Sequence, residues 1–146
     1  MSSPIEHLAA PHRARGAAVL DTHVRSIMRA GVISVPSDAS VRQVQRALVA
    51  HRVHAVLVLD AKTRVPVGWA TVGGVLEHML GDAPLTPAVV AVTEEAHSIA
   101  PGATAEEALR RLVETGSHRL LVRHHPASPP EGVLSEMDLV ELCTPR

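Results

Sequence analysis

An α/β fold is expected for this chain, built from two copies of one strand, helix, strand, strand, helix unit. Two observations predict it: a long self-match within the sequence, and short apolar runs of strand length that alternate with helical stripes. Displacing the sequence against itself by about 64 residues brings Arg46 onto Arg110, Leu48 onto Leu112 and Val49 onto Val113. The register continues without a gap: His54 meets His118, Val58 meets Val122, Pro66 meets Pro130, Gly68 meets Gly132 and Thr71 meets Ser135. A repeat of this length is one supersecondary unit, and neither copy could bury both faces of a small sheet alone. The two are therefore expected to pack sheet to sheet with pseudo-two-fold symmetry.

Each element follows from local chemistry. Ile33 to Val35 reads as a short strand closed by Pro36, and Ser40 is placed to cap a helix whose buried face holds Val41, Val44, Ala47 and Leu48. Ala55 to Leu59 is a continuous apolar run, Asp60 to Pro66 a turn, Val67 to Thr71 the returning strand, and Val72 to Leu80 a closing helix. In the second copy Ser98 and Ile99 precede Pro101. Thr104 and Glu107 have capping-box spacing, and Ala108, Leu109, Leu112 and Val113 form the apolar stripe. Strands at Leu120 to Arg123 and Gly132 to Ser135 flank a His- and Pro-rich loop, and Glu136 to Leu142 is the last helix. The expected organisation is a flexible arm over 1–23, a first motif over 24–80, a linker and start of repeat over 81–93, with Gly81 to Pro87 as its loop, and a second motif over 94–146.

Composition narrows the function classes. At 146 residues the chain has the size of one domain. It has no Phe or Tyr, and its only aromatic is Trp69, so aliphatic side chains must fill the core. Trp69 reads as a core or interface residue before it reads as a platform for a base. A formal net charge of -1 offers no positive field for nucleic acid, and the apolar stretches are too short to cross a bilayer. Without a secretory signal pattern, a cytoplasmic location is expected. Cys143 is the single cysteine and has no partner for a disulfide.

Three strings resemble the cystathionine-beta-synthase (CBS) motif, and their pairing resembles a Bateman module covering about Val24 to Leu142. They are Val24-Arg25-Ser26-Ile27-Met28 with the following Val35 to Val41, Ser117 to Val122, and Gly132-Val133-Leu134-Ser135-Glu136-Met137-Asp138-Leu139. The resemblance implies a regulatory module that binds an adenosine-containing ligand (AMP, ADP, ATP or S-adenosylmethionine) in a cleft between the motifs. It also implies a homodimer and a separate effector protein as the receiver of the signal.

The chemistry of the second repeat fits that class. Ser135 ends a strand, and Asp138 lies one turn into the helix that follows, so a hydroxyl and a carboxylate can face one another's surroundings and a ribose diol would suit them. The same two residues are equally suited to capping the helix. His118 and Arg119 stand before an apolar strand and point to opposite faces; by resemblance, basic residues here meet phosphate. Ile99 and Pro101 are the expected wall of an adenine slot, again by resemblance. In the first repeat Thr71 keeps the hydroxyl and His54 the imidazole. However, Gly74 stands where Asp138 does and Ala55 where Arg119 does, so unequal sites are expected.

Rival classes find less support. His51 with His54, and His124 with His125, lack further ligands at metal-binding intervals, so no metal is expected. No phosphate loop, nucleophile elbow or paired carboxylates are present, and catalysis is not expected. A ligand-free dimerisation module is the alternative to the sensor, and a single cofactor is not implied by either.

Overall fold

The computed structural model describes residues 18–80 and 85–145. They form two compact units: one runs from Gly31 to Ala96, and the other joins the residues up to Ala30 to those from His97 onward. Each is a four-stranded mixed sheet covered by helices, which is the α/β repeat architecture expected.

In the first-repeat unit the strand order is β2 (Ser34–Pro36), β3 (Ala55–Leu59), β4 (Pro66–Thr71), β5 (Val92–Glu94). β2 runs parallel to β3, and the other neighbours are antiparallel. Helices α1 (Val41–His51) and α2 (Val72–Glu77) connect and close the repeat. Ser40 caps α1 through a reciprocal box with Gln43, the serine hydroxyl accepting from the Gln43 N–H and Gln43 Oε1 from the Ser40 N–H. The turn between β3 and β4 is fastened by Asp60, whose carboxylate accepts from the N–H groups of Thr63 and Lys62 at 2.8 and 2.9 Å. Those bonds, Thr63's first, hold its pKa below the usual carboxylate value. The contribution is therefore present above the ordinary Asp range and lost as pH falls through it.

The second-repeat unit repeats the plan with β1 (Arg29–Ala30), β8 (Gly132–Ser135), β7 (Arg119–Val122) and β6 (Ser98–Ile99) in that order, and helices α3 (Ala105–Thr115) and α4 (Glu136–Cys143). Thr104 caps α3 by accepting from the Glu107 N–H at 3.2 Å. The reciprocal Glu107 bond of the expected box is not formed among the described residues.

The units exchange their leading segments. Each repeat is preceded by a 3-10 turn and a short strand, Val24–Ser26 with β1 and Ala88–Ala91 with β5. β1 pairs with β8 of the second repeat, and β5 with β4 of the first. Compact units therefore do not coincide with the sequence repeats. The expected arm is also shorter than 1–23 at its inner end: residues 18–20 are helical, Leu20 packs on the second-repeat core, and the Ala105 N–H donates to the Thr22 carbonyl at 2.8 Å. Residues 1–17 of that arm lie outside the described residues, as do 81–84 of the expected linker. From Thr86 onward the linker is bound in place, its carbonyl accepting from the Val41 N–H at 2.7 Å.

The cores are aliphatic, as the composition requires. Val41, Val44, Leu48, Val56, Val58 and Ala70 belong to one, and Ala105, Ala108, Leu112, Leu120, Val122 and Leu134 to the other. Leu109 and Val113, expected on the buried stripe, are instead exposed, as is Val49. The buried face of each long helix is narrower than its apolar face, since only the a-and-d-like positions meet the sheet.

Arg52 ends α1 in the left-handed conformation at φ 52°, and its repeat counterpart is Gly116 at φ 67°. A non-glycine residue is strained there. Arg52→Gly is expected to raise the unfolding free energy by roughly 0.5 to 1 kcal/mol, read from urea denaturation.

Candidate functional site

The motif glycines are explained by the exchanged strands. A Cβ at Gly132 would run into the carbonyl oxygen of Arg29 on β1, and one at Gly68 would stand 2.6 Å from that of Glu94 on β5. Both are required by the close approach of a neighbouring backbone, not by a ligand.

At the end of β8, Ser135 and Asp138 form a full capping box. The Ser135 hydroxyl accepts from the Asp138 N–H at 3.2 Å, and Asp138 Oδ2 accepts from the Ser135 N–H at 2.8 Å. Both residues remain half-exposed. The hydroxyl keeps its proton to donate, and the carboxylate keeps lone pairs on both oxygens, so capping and ligand contact are compatible. Asp138→Ala is expected to cost about 1 kcal/mol in stability through the lost cap, while Asp138→Asn, which keeps an acceptor oxygen, spares most of it; thermal unfolding distinguishes them.

Strand register brings Arg119 into this site. Arg119 pairs directly with Ser135 across β7 and β8, on the same face as the next pair but one, Leu121 with Val133. The opposite face, carrying Leu120, Val122 and Leu134, belongs to the helix-covered core. His118 is exposed at the strand's entry, with Nδ1 at 3.2 Å from each carboxylate oxygen of Glu136, the first residue of α4. The backbone repeats this closure, His118 accepting from the Glu136 N–H at 2.9 Å and His54 from the Val72 N–H at 3.1 Å.

The expected adenine wall does not share this face. Ile99 pairs with Val122 and packs against the second-repeat core, on the side opposite Arg119 and Ser135. Pro101 is buried, and its carbonyl accepts from the Arg25 N–H at 3.0 Å. Of the second-repeat residues, Ser135, Asp138, Arg119 and His118 are brought together; Ile99 and Pro101 serve the fold of their unit.

The first repeat differs in a way sequence alone left unexplained. Thr71 is 8% exposed, accepts from the Gly74 N–H at 3.1 Å, and shares a 2.6 Å hydrogen bond with the Thr93 hydroxyl of β5. A Cβ at Gly74 would collide with the carbonyl oxygen of Ala91. The position equivalent to Asp138 is thus filled by the chain's own backbone, and the hydroxyl is spent inside its own unit. His54 is exposed. Trp69 is 1% exposed and lies opposite Leu57 in the sheet, a core position. Among the described residues no group of three or more His, Cys, Asp or Glu side chains could hold a metal ion. No helix among them is long and apolar enough to cross a membrane.

Two exchanged-strand α/β repeats, each ending in a strand-to-helix corner of glycine, two apolar residues and a hydroxyl, define the class: a tandem module of paired repeats. A family model for the CBS domain matches residues 24–81 and again 87–144, and the chain belongs to the CBS domain family. Solved structures agree in fold. The CBS domain of a bacterial CNNM/CorC family Mg2+ transporter, solved in complex with ATP, is 18% identical with a TM-score of 0.77 and covers 90% of this chain and 94% of its own. The CBS domain of a membrane protein from Sphaerobacter thermophilus is 19% identical, with a TM-score of 0.74 and coverage of 93% and 96%. The CBS-domain protein ATU1752 from Agrobacterium tumefaciens is 21% identical, with a TM-score of 0.69 and coverage of 84% and 94%. A search of curated proteins finds no match.

Proposed function

We propose that this chain is a regulatory module that binds an adenosine-containing ligand (AMP, ADP, ATP or S-adenosylmethionine) at the Ser135–Asp138 corner of its second repeat. In this reading it acts as a homodimer and passes the occupancy of that site to an effector protein. The observation that carries the proposal is one corner at which a hydroxyl and a half-exposed carboxylate open α4 while Arg119 is the direct strand partner of that hydroxyl's residue. Ser135 and Asp138 are suited to a ribose diol, and Arg119 to the charged group, with His118 adding charge when protonated. The ATP complex of the CNNM/CorC domain supports the ligand class. Regulation requires that the ligand favour one arrangement of the protein over another, since equal affinity for both shifts nothing.

The test is calorimetric titration with AMP, ADP, ATP and S-adenosylmethionine on the wild type and on Asp138→Asn. Saturable binding that this substitution weakens by about 1.5 to 3 kcal/mol supports the sensor, because Asn preserves the helix cap while removing the charge. The absence of heat from every ligand overturns it and favours a ligand-free interaction module. That second reading rests on one specific observation: Ser135 and Asp138 already have a structural role as the capping box of α4.

A further inference from the structure

The corner of Ser135 and Asp138 carries one acidic residue whose counterpart in the first repeat is apolar. Glu136, the first residue of α4, places both carboxylate oxygens 3.2 Å from Nδ1 of His118. At the repeat distance its equivalent is Val72, beside His54. The main-chain closure is the same in both repeats, the histidine carbonyl accepting from the N–H of Glu136 at 2.9 Å and from that of Val72 at 3.1 Å. Closing the corner therefore does not require the carboxylate. Stability does not require it either: the His118 and Glu136 side chains are 55% and 60% exposed, and ion pairs at such exposure add little to folding.

The charge of the corner follows from four side chains. Glu136 and Asp138 are the acids in the first turn of α4, Arg119 is the strand partner of Ser135, and His118 adds either nothing or one positive charge. Two carboxylates against one guanidinium leave the four groups at -1 when the imidazole is neutral and at zero when it is protonated. In neither state is the corner positive, and any charge that His118 gains faces Glu136 first. A polyphosphate chain brings several negative charges to this place and finds one guanidinium beside two carboxylates. A ligand whose 5′ substituent holds cations and a single carboxylate matches the arrangement, its cations toward Glu136 and its carboxylate toward the Arg119 fork. Sites discriminate by what they repel as well as by what they attract.

We infer that Glu136 is a specificity-determining residue, and that through it the second-repeat corner selects an adenosyl sulfonium, S-adenosylmethionine, over the adenine nucleotides. This rests on the ligand reading proposed above and narrows it. Ser135 and Asp138 hold the ribose that every candidate shares, so they cannot choose among them. Glu136 chooses among the 5′ groups: it repels a phosphate chain, answers a sulfonium or ammonium, and occupies the imidazole that would otherwise serve a phosphate.

The experiment is calorimetric titration of the full chain with S-adenosylmethionine, S-adenosylhomocysteine, AMP and ATP, on the wild type, Glu136→Gln and Glu136→Asp. S-adenosylhomocysteine lacks only the sulfonium methyl and its positive charge, so the first two ligands separate charge from shape. The wild type is expected to bind S-adenosylmethionine more tightly than either nucleotide, and at least about threefold more tightly than S-adenosylhomocysteine, an effect of the size one exposed charge gives. Glu136→Gln is expected to abolish the preference for the sulfonium and to tighten ATP by about threefold or more, while Glu136→Asp, which keeps the charge, retains the wild-type order. Position 136 is exposed, so the fold is expected to survive each change, and circular dichroism verifies it. Tighter binding of ATP than of S-adenosylmethionine by the wild type, or preferences that Glu136→Gln leaves unchanged, overturns the selection and leaves the ligand site standing. No heat from any of the four ligands overturns the ligand reading itself, and the selection with it.

Discussion

Gly74→Ala is expected to destabilise the protein by about 3 kcal/mol, while Gly73→Ala, one residue earlier in the same helix, is expected to stabilise it by up to about 1 kcal/mol. The contrast follows from what each Cβ meets. At Gly73 the nearest atom is the Thr71 hydroxyl at 3.9 Å, and the residue is exposed, so alanine gains helix propensity without a clash. At Gly74 the obstacle is the backbone carbonyl of Ala91, itself fully buried, which cannot swing aside as a side chain can. Urea denaturation followed by circular dichroism measures both. If Gly74→Ala behaved like its neighbour, the Ala91 segment would be free to move and the first repeat would have room for a ligand-binding side chain. The prediction therefore reaches the functional question: packing of the exchanged segment leaves no room for a carboxylate side chain at Gly74.

Trp69→Ala is expected to cost about 3 to 5 kcal/mol, the range for emptying a large aromatic site in a core. Trp69 is the largest of the fully buried side chains, and the chain has no other aromatic residue that could refill the space. As the only Trp in a chain without Tyr, it also makes intrinsic fluorescence a local probe. Wild-type emission is expected to resist exposed quenchers and to show no direct stacking quench by adenine ligands, whereas strong collisional quenching would place the ring at a surface. Because the variant lacks the fluorophore, its stability is read by circular dichroism.

Most of the secondary structure was legible because it is written in local chemistry. Ser40 and Ser135 cap helices, Ala55 to Leu59 and Gly132 to Ser135 are strands over the residues expected, and the repeat register carries over to the paired hydrogen bonds at His54 and His118. The stripe on the long helices was read too widely. Period alone cannot tell Leu112, which meets the sheet, from Val113, which faces outward one residue later. Around the candidate site, the sequence already carried the Ser135–Asp138 cap, whereas the pairing of Arg119 with Ser135 and the turning of Ile99 to the core emerge only from strand register, which fixes the face of Ile99 once Val122 is its partner.

By itself, the sequence determined that the chain is a tandem α/β repeat, since caps, turns and apolar periods depend on residues a few positions apart. It also determined that the two corners differ, Asp138 against Gly74. Only the tertiary structure decided that each repeat's leading strand joins the other repeat's unit, because pairing over such a distance in the chain leaves no local periodicity to read. From that exchange follow the reasons for three glycines. Gly68, Gly132 and Gly74 each face a backbone brought there by a segment outside their own repeat's core elements, and a collision with a distant carbonyl has no signature in neighbouring residues.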